Sequence, residues 1–156
     1  SITTEDPDFI SQAARRFGSQ CIVVSIDAKL DRNGAYQVYT RRGRQPTGLD
    51  PLQHARRVHE LGAGEILLNS IDRDGTWGGY DLELLQQVSD AVSIPVIACG
   101  GAGKLQDFAD AVNIGHASAV SAGSFFLYHT RRRGILITYP AREELQDVLG
   151  KERIRV

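Results

Sequence analysis

Four short stretches of the chain are apolar on nearly successive residues: CIVVSID (21–27), EILLNS (65–70), PVIACG (95–100) and ASAVSAG (117–123). They show no helical period, and such runs suit strands buried on both faces, as in parallel sheets. Helical patterns separate them. DPLQHARRVHELG places Leu52, Ala55, Val58 and Leu61 at three-residue steps. Asp50 is positioned to cap its first amides, Pro51 suits the first helical position, and Gly62 stops it. DLELLQQVSDAV puts Leu85, Val88 and Val92 on one stripe behind Asp81, and KLQDFADAVNIG turns Phe108, Ala111 and Val112 inward. EDPDFISQAARRFG repeats the Asp-Pro start and glycine stop.

The order is therefore α-β-α-β-α-β-α-β, the signature of βαβ units. Two folds accommodate it: an open doubly wound sheet, or half of a (β/α)8 barrel. Residues near 30–48 form an extra excursion, in which AYQVYTRR alternates like a hairpin arm. A single domain over 1–156 is expected, with a variable tail over 129–156. The 156 residues suffice for one core, with 42% apolar and 24% charged residues. A net charge of −1 implies no general attraction to nucleic acid or to membrane. No window reaches the roughly 18 apolar residues of a spanning helix, and no secretory leader is evident, so a cytoplasmic setting is expected. Cys21 and Cys99 lie in apolar runs outside any CxxC pattern and read as reduced core cysteines. The chain opens on SITTEDPDF and holds no Met, as in a fragment or a chain whose first residues were removed.

In parallel α/β folds, ligands gather at the carboxyl ends of strands. The first strand exits at Asp27, followed by Lys29. The second exits into NSIDRDGTWGGYD, with Asn69, Asp72, Arg73 and Asp74. The third exits at Cys99, Gly100 and Gly101 before Lys104, and the fourth at Ser121, Gly123 and Ser124. The two glycine exits read as paired anion sites, whose amides and following helix start offer a positive pole. GGAGKL is not a P-loop, because its spacing differs and no Ser or Thr follows the lysine. Asp27 and Asp74 are candidate proton-transfer groups, since a carboxylate at a partly dry strand end suits acid or base work. Cap or turn duty is the plainer reading for an isolated Asp, and Asp72 is assigned to it. Trp77 reads as a loop cover. Arg41, Arg42, Arg44 and Arg131 to Arg133 read as solvated surface, and the four histidines lack metal spacing.

The motifs SIDAK, GAGEILLNSIDRDGTWGGYD, IPVIACGGAGK and SAVSAGSFF resemble the cyclase subunit of imidazole glycerol phosphate synthase, over about residues 2–126. The resemblance implies a (β/α)8 barrel in histidine biosynthesis, with ammonia supplied by a glutaminase partner. The implied reaction turns a phosphoribulosyl aminoimidazole carboxamide ribotide into imidazole glycerol phosphate and an aminoimidazole carboxamide ribotide, with no metal or other cofactor. It implies catalytic roles for Asp27 and, as a supporting acid, Asp74. It implies phosphate contacts at Gly101, with Cys99 and Gly100 beside it, and at Gly123 and Ser124. Asn69 falls at a substrate-lining position and Glu65 at the charged ring through which ammonia enters.

Two departures accompany the likeness. Only the second half of the barrel, strands 5 to 8, is matched, so the second catalytic aspartate and one phosphate site have no counterpart here. The ending RRRGILITYP, Asn69 and the SID wording look more like the paralogue found with surface-polysaccharide genes, thought to help pass ammonia to a sugar-modifying amidotransferase. A half barrel leaves unpaired strand edges and an open inner face. At about 25 cal/mol per Å2, exposing several hundred Å2 of apolar surface costs on the order of ten kcal/mol. Association is therefore expected, with a complementary N-terminal half or as a homodimer. Three functions stay open: a weakly active or split cyclase, the polysaccharide paralogue, and a non-catalytic phosphate-binding half barrel.

Overall fold

The computed structural model describes residues 2–128, 134–135 and 137–150. The sequence features at His129 and at Arg131 to Arg133 lie outside the described residues. Helices α1 (Ile2–Glu5) and α2 (Asp8–Phe17) lead through a 3-10 turn (Ser19–Cys21) into strand β1 (Val23–Leu30). Strands β2 (Tyr36–Thr40) and β3 (Gln45–Pro46) follow, then α3 (Pro51–Glu60) and β4 (Glu65–Ser70). Helix α4 (Leu82–Ala91), strand β5 (Val96–Cys99), helix α5 (Leu105–Asn113) and strand β6 (Ala119–Val120) complete the alternation. Two further helices are α6 (Ser124–Leu127) and α7 (Arg142–Leu149).

The sheet order is β3-β2-β1-β4-β5-β6. Its parallel part, β1-β4-β5-β6, follows chain order, as neighbouring strands of a barrel wall do, and the sheet does not close. This is half of a (β/α)8 barrel. Chain-order pairing excludes the strand reversal of a doubly wound sheet. Strands β2 and β3 are antiparallel additions on the free side of β1, joined to it from Asp27↔Tyr39 to Leu30↔Tyr36.

One layer of helices covers one face of this sheet. Val24, Ile26 and Ala28 of β1, Ile66 and Leu68 of β4, and Val96 and Ala98 of β5 point into it and are buried. They meet Ala55 and Val58 of α3, Leu84, Leu85 and Val88 of α4, and Phe108 and Ala111 of α5. Asp50 caps α3 by accepting from Gln53 N at 2.8 Å, and Asp81 caps α4 by accepting from Leu84 N at 3.3 Å. The helix of EDPDFISQAARRFG departs from its pattern: the N-cap of α2 is Pro7, which carries no side-chain acceptor, so no cap bond forms.

The expectation of strands buried on both faces is corrected. Burial alternates along β1 and β4, and Val23 on the other face of β1 is 52% exposed. The reason is the missing second layer, since nothing among the described residues packs on the inner face. The core reading of the cysteines is corrected too. Cys21 is exposed because the 3-10 turn delays the strand until Val23, and Cys99 is only half-buried because it points to the inner face. No helix among the described residues is long and apolar enough to cross a membrane.

Candidate functional site

Register places the site. Asp27 pairs with Asn69, and Asn69 with Cys99, so one row of side chains crosses β1, β4 and β5 at their carboxyl ends. All three are partly exposed on the inner face. Asn69 Nδ2 donates to Asp27 Oδ1 at 3.1 Å. Glu65 begins β4, paired with Val23, four residues below Asn69 and on the same face. It therefore stands at the opposite end of the inner face from the row.

The stretch between β4 and α4 is a folded rim, not a loose loop. Asp74 N donates to Ser70 O at 3.0 Å, and Thr76 closes the next turn through a 2.7 Å bond to Arg73 O. The rim is docked on the β5 exit by a 2.9 Å bond from Gly79 N to Gly101 O. Gly101 has φ +117, and a Cβ there would lie 2.2 Å from Gly79 O, so only glycine permits this contact. Trp77, at φ 61, wraps Gly103, where a Cβ would come within 2.9 Å of the tryptophan Cβ. The Trp77 backbone thus packs against the loop at Gly103. Asp72, read as a cap or turn acid, accepts with its carboxylate from Leu30 N at 2.9 Å, tying the rim to the end of β1. Tyr36 of β2 adds a second tie, donating to Asp81 at 2.9 Å, and Ser70 reaches the same carboxylate at 3.3 Å.

Between the exits of β4, β5 and β6 lies a cavity of about 200 Å3. Asp74 and Gly75 line it from the rim, Cys99, Gly100, Gly101 and Ala102 from β5, and Ser121 to Ser124 from β6. The structure therefore brings Asp74, Cys99, Gly100, Gly101, Gly123 and Ser124 around one space. Cys99 belongs both to this cavity and to the Asp27–Asn69 row. Burial pushes its thiol above the usual range, a hydrogen bond from Ser121 opposes this, and the Asp74 and Asp27 carboxylates add to the rise. Cys99 is thus a neutral thiol at physiological pH.

Two of the amides leading from the β5 exit toward α5 already have a partner within the chain. Asp107 Oδ2 accepts from Gly103 N at 2.8 Å and from Lys104 N at 3.0 Å. The Gly103 and Lys104 amides, just before α5, are thus satisfied by the helix's own buried carboxylate, and these two are closed to a ligand. Lys104 followed three residues later by an acid was the signal for this cap. Gly75 escaped sequence reasoning because nothing in a rim glycine says which strand exit it faces. The Tyr36–Asp81 bond spans 45 residues and had no local signal.

Outside the rim, His54 is buried beside Thr3, with Nε2 3.3 Å from Thr3 Oγ1, and desolvation holds its ring below the usual range. Among the described residues, no group of three or more His, Cys, Asp or Glu is placed to hold a metal ion.

Open half barrel, glycine-lined cavity at adjacent strand exits and inward carboxylate together mark one wall of a (β/α)8 barrel with its carboxyl-end face intact. A family model described as "Histidine biosynthesis protein" matches residues 1–132. The chain belongs to this family. It is similar to the imidazole glycerol phosphate synthase subunit HisF of Alkaliphilus metalliredigens (strain QYMF), with 54% identity over 129 residues, 83% of this chain. The match takes in 51% of that protein, so the chain spans about half the length of the curated relative it matches.

Proposed function

We propose that this chain supplies strands 5 to 8 of a cyclase barrel of the imidazole glycerol phosphate synthase type. In this reading the cavity between the β5 and β6 exits holds a phosphate of a phosphoribulosyl aminoimidazole carboxamide ribotide. Gly100, Gly101, Gly123 and Ser124 bring backbone close to its oxygens. Asp27 moves a proton at the reacting centre, and Asp74 supports it from the rim. Glu65 lies where ammonia from a glutaminase subunit would enter. The observation that carries the reading is the adjacency of the glycine-lined cavity to the Asp27–Asn69–Cys99 row, with Cys99 common to both. It goes with a cytoplasmic setting and with one half-barrel domain over 1–156, with a hairpin insertion near 30–48 and a tail over 129–156.

The inner face must be closed for a dry site to exist. Either a preceding half barrel in a longer polypeptide or a second copy of this chain would do so. A two-fold pair would set Asp27 of each copy across one mouth and duplicate the phosphate loops. A well-folded monomer of these 156 residues at micromolar concentration in sedimentation would refute the second option. The functional test is ammonia-dependent turnover of the ribotide by the complete protein. Asp27→Asn should abolish turnover while inorganic phosphate still raises Tm. A phosphate-induced rise in Tm with no ribotide turnover would leave a non-catalytic phosphate-binding barrel instead.

One observation favours a second reading. The family match ends at residue 132, so the tail with α7, and Tyr139 stacked on Phe126 at 4.9 Å, lies beyond it. That suits a paralogue delivering ammonia to a sugar-modifying amidotransferase. Ammonia transfer to a sugar nucleotide, without ribotide turnover, would support it.

A further inference from the structure

Asn69 stands in the middle of the inward row, and the proposed reaction does not use its chemistry. It lies opposite Asp27 in the parallel ladder, so the two side chains leave neighbouring strands at the same height and on the same face. Its Nδ2 donates to Asp27 Oδ1 at 3.1 Å. Its Oδ1 is buried with no hydrogen-bond partner. An orphaned buried acceptor is costly and calls for a cause. The cause is Asp27. Turning the amide over would set Oδ1 against a carboxylate oxygen, a worse arrangement than an unpaired acceptor. The amide is therefore locked with its donor toward the carboxylate.

Gly100 supplies the other wall. A Cβ there would lie 2.7 Å from Asn69 Oδ1 and 2.7 Å from Ser70 O, so the glycine lets the amide lie flat against the β5 exit. Asn69 is held between the phosphate-lining glycine and the carboxylate. Its side chain has one polar atom engaged and one with nowhere else to turn.

We propose that Asn69 is the positioning residue for Asp27, donating from Nδ2 to fix the carboxylate's orientation toward the inner face at the expense of its own unpaired Oδ1. The inference rests on the cyclase reading above and deepens it. A ligand phosphate is held by backbone on β5 and β6, whereas the proton-moving group stands two strands away on β1. Asn69, on the strand between, fixes the distance and angle from one to the other. Misplacement of a catalytic group by about 1 Å costs on the order of a hundredfold in rate.

The test uses the complete protein. Asn69→Leu keeps the branching at Cγ and removes the donor. It should lower kcat by about tenfold to a hundredfold, with KM and inorganic phosphate affinity changed less than about twofold, because uniform binding is untouched. On an Asp27→Asn background, Asn69→Leu should reduce the residual rate by less than about twofold, since residues acting as a unit are not additive. A second measurement needs no turnover: the Asn69 side-chain amide protons should shift in the NMR spectrum of Asp27→Ala. An unchanged kcat in Asn69→Leu overturns the proposal. So does a loss of kcat that tracks a loss of phosphate affinity, which marks a collapsed site. If the parent binds phosphate and turns nothing over, the cyclase reading fails, and the amide shift alone decides whether Asn69 holds Asp27. Amide signals indifferent to Asp27→Ala then refute it.

Discussion

Gly101→Ala probes the joint between the rim and the glycine-lined β5 exit. The parent residue has φ +117, which an L side chain rarely adopts, and the added Cβ would sit 2.2 Å from Gly79 O, 2.9 Å from Gly79 C and 3.0 Å from Arg73 Cβ. The backbone penalty is about 1–3 kcal/mol. The contact with Gly79 is to main chain, so it cannot be relieved by a side-chain rotation. The rim carbonyl must retreat by roughly an ångström, at a cost like that of an overpacked core, about 1–3 kcal/mol. That retreat breaks the 2.9 Å Gly79 N to Gly101 O bond as well. The expected destabilisation is on the order of 3–5 kcal/mol, near the top of the range for single substitutions. At about 2–4 °C per kcal/mol for a domain of this size, Tm should fall by roughly 10 °C. Phosphate affinity, read by calorimetric titration, should fall by about tenfold or more, because the Gly100–Gly101 backbone shifts with the rim. Gly34→Ala is the control: its φ is +80 and nothing lies within 4 Å of the new Cβ, so only the backbone penalty of about 1 kcal/mol applies. Equal losses in the two variants, with phosphate affinity retained in Gly101→Ala, would refute the docking argument.

Four further outcomes are expected. Gly123→Ala introduces a Cβ that meets nothing within 4 Å at a position lining the cavity, so Tm should stay within the roughly 0.5 kcal/mol scatter of neutral substitutions while phosphate titration shows weaker binding. Asp107→Ala frees the Gly103 and Lys104 amides and should cost about 1–2 kcal/mol in chemical denaturation. Burial raises the Tyr36 and Tyr80 hydroxyls above the ordinary phenol range, with the Asp81 carboxylate adding to Tyr36 and Cys99 and Asp107 to Tyr80. The unfolded chain then releases these protons first, so their contribution is intact below about pH 10 and is lost as pH rises beyond it; alkaline melts of Tyr36→Phe should lose less. Desolvation lowers the His54 ring, so the unfolded chain binds its proton first and stability should fall as pH drops below the usual histidine range of about 6.5, an effect His54→Gln removes.

The alternation of helices and strands was legible because period and capping are local. Asp50 and Asp81 announced α3 and α4, and the glycine exits were recognisable as backbone about to approach something. The facing of the strands was not legible. EILLNS and PVIACG read as buried on both sides because Leu67 and Ile97 are apolar, yet these residues point to the uncovered face. Hydrophobicity records what a position meets in the finished barrel, not what these residues alone provide. Cys21 misled for a related reason: apolar neighbours place a residue in a strand only if the ladder begins there, and Gly64 N and Glu65 N bond Ile22 O instead, at 2.9 and 3.2 Å. Asp107 was legible in principle through its spacing from Lys104, whereas the Asp72 and Tyr36 ties span 42 and 45 residues and depend on how the rim folds back over β1.

The same mismatch bears on function. Along β4 the inner face carries Glu65, Leu67 and Asn69, a charge, an apolar residue and an amide in three alternate positions. A surface evolved for water would not place Leu67 and Ile97 at the centre of an open sheet, nor bury an unpaired Asn69 oxygen beside a carboxylate. A sealed core would not hold Glu65 and Asp27 at its two ends. A lumen satisfies both demands: polar at its mouths, apolar in the middle, and dry only once the second wall is present. The charge pattern of the inner face thus specifies its own completion. On the proposed cyclase reading, Asp27 would acquire a low-dielectric setting, and with it the electrostatic strength an acid or base needs, only once a second wall closes the barrel.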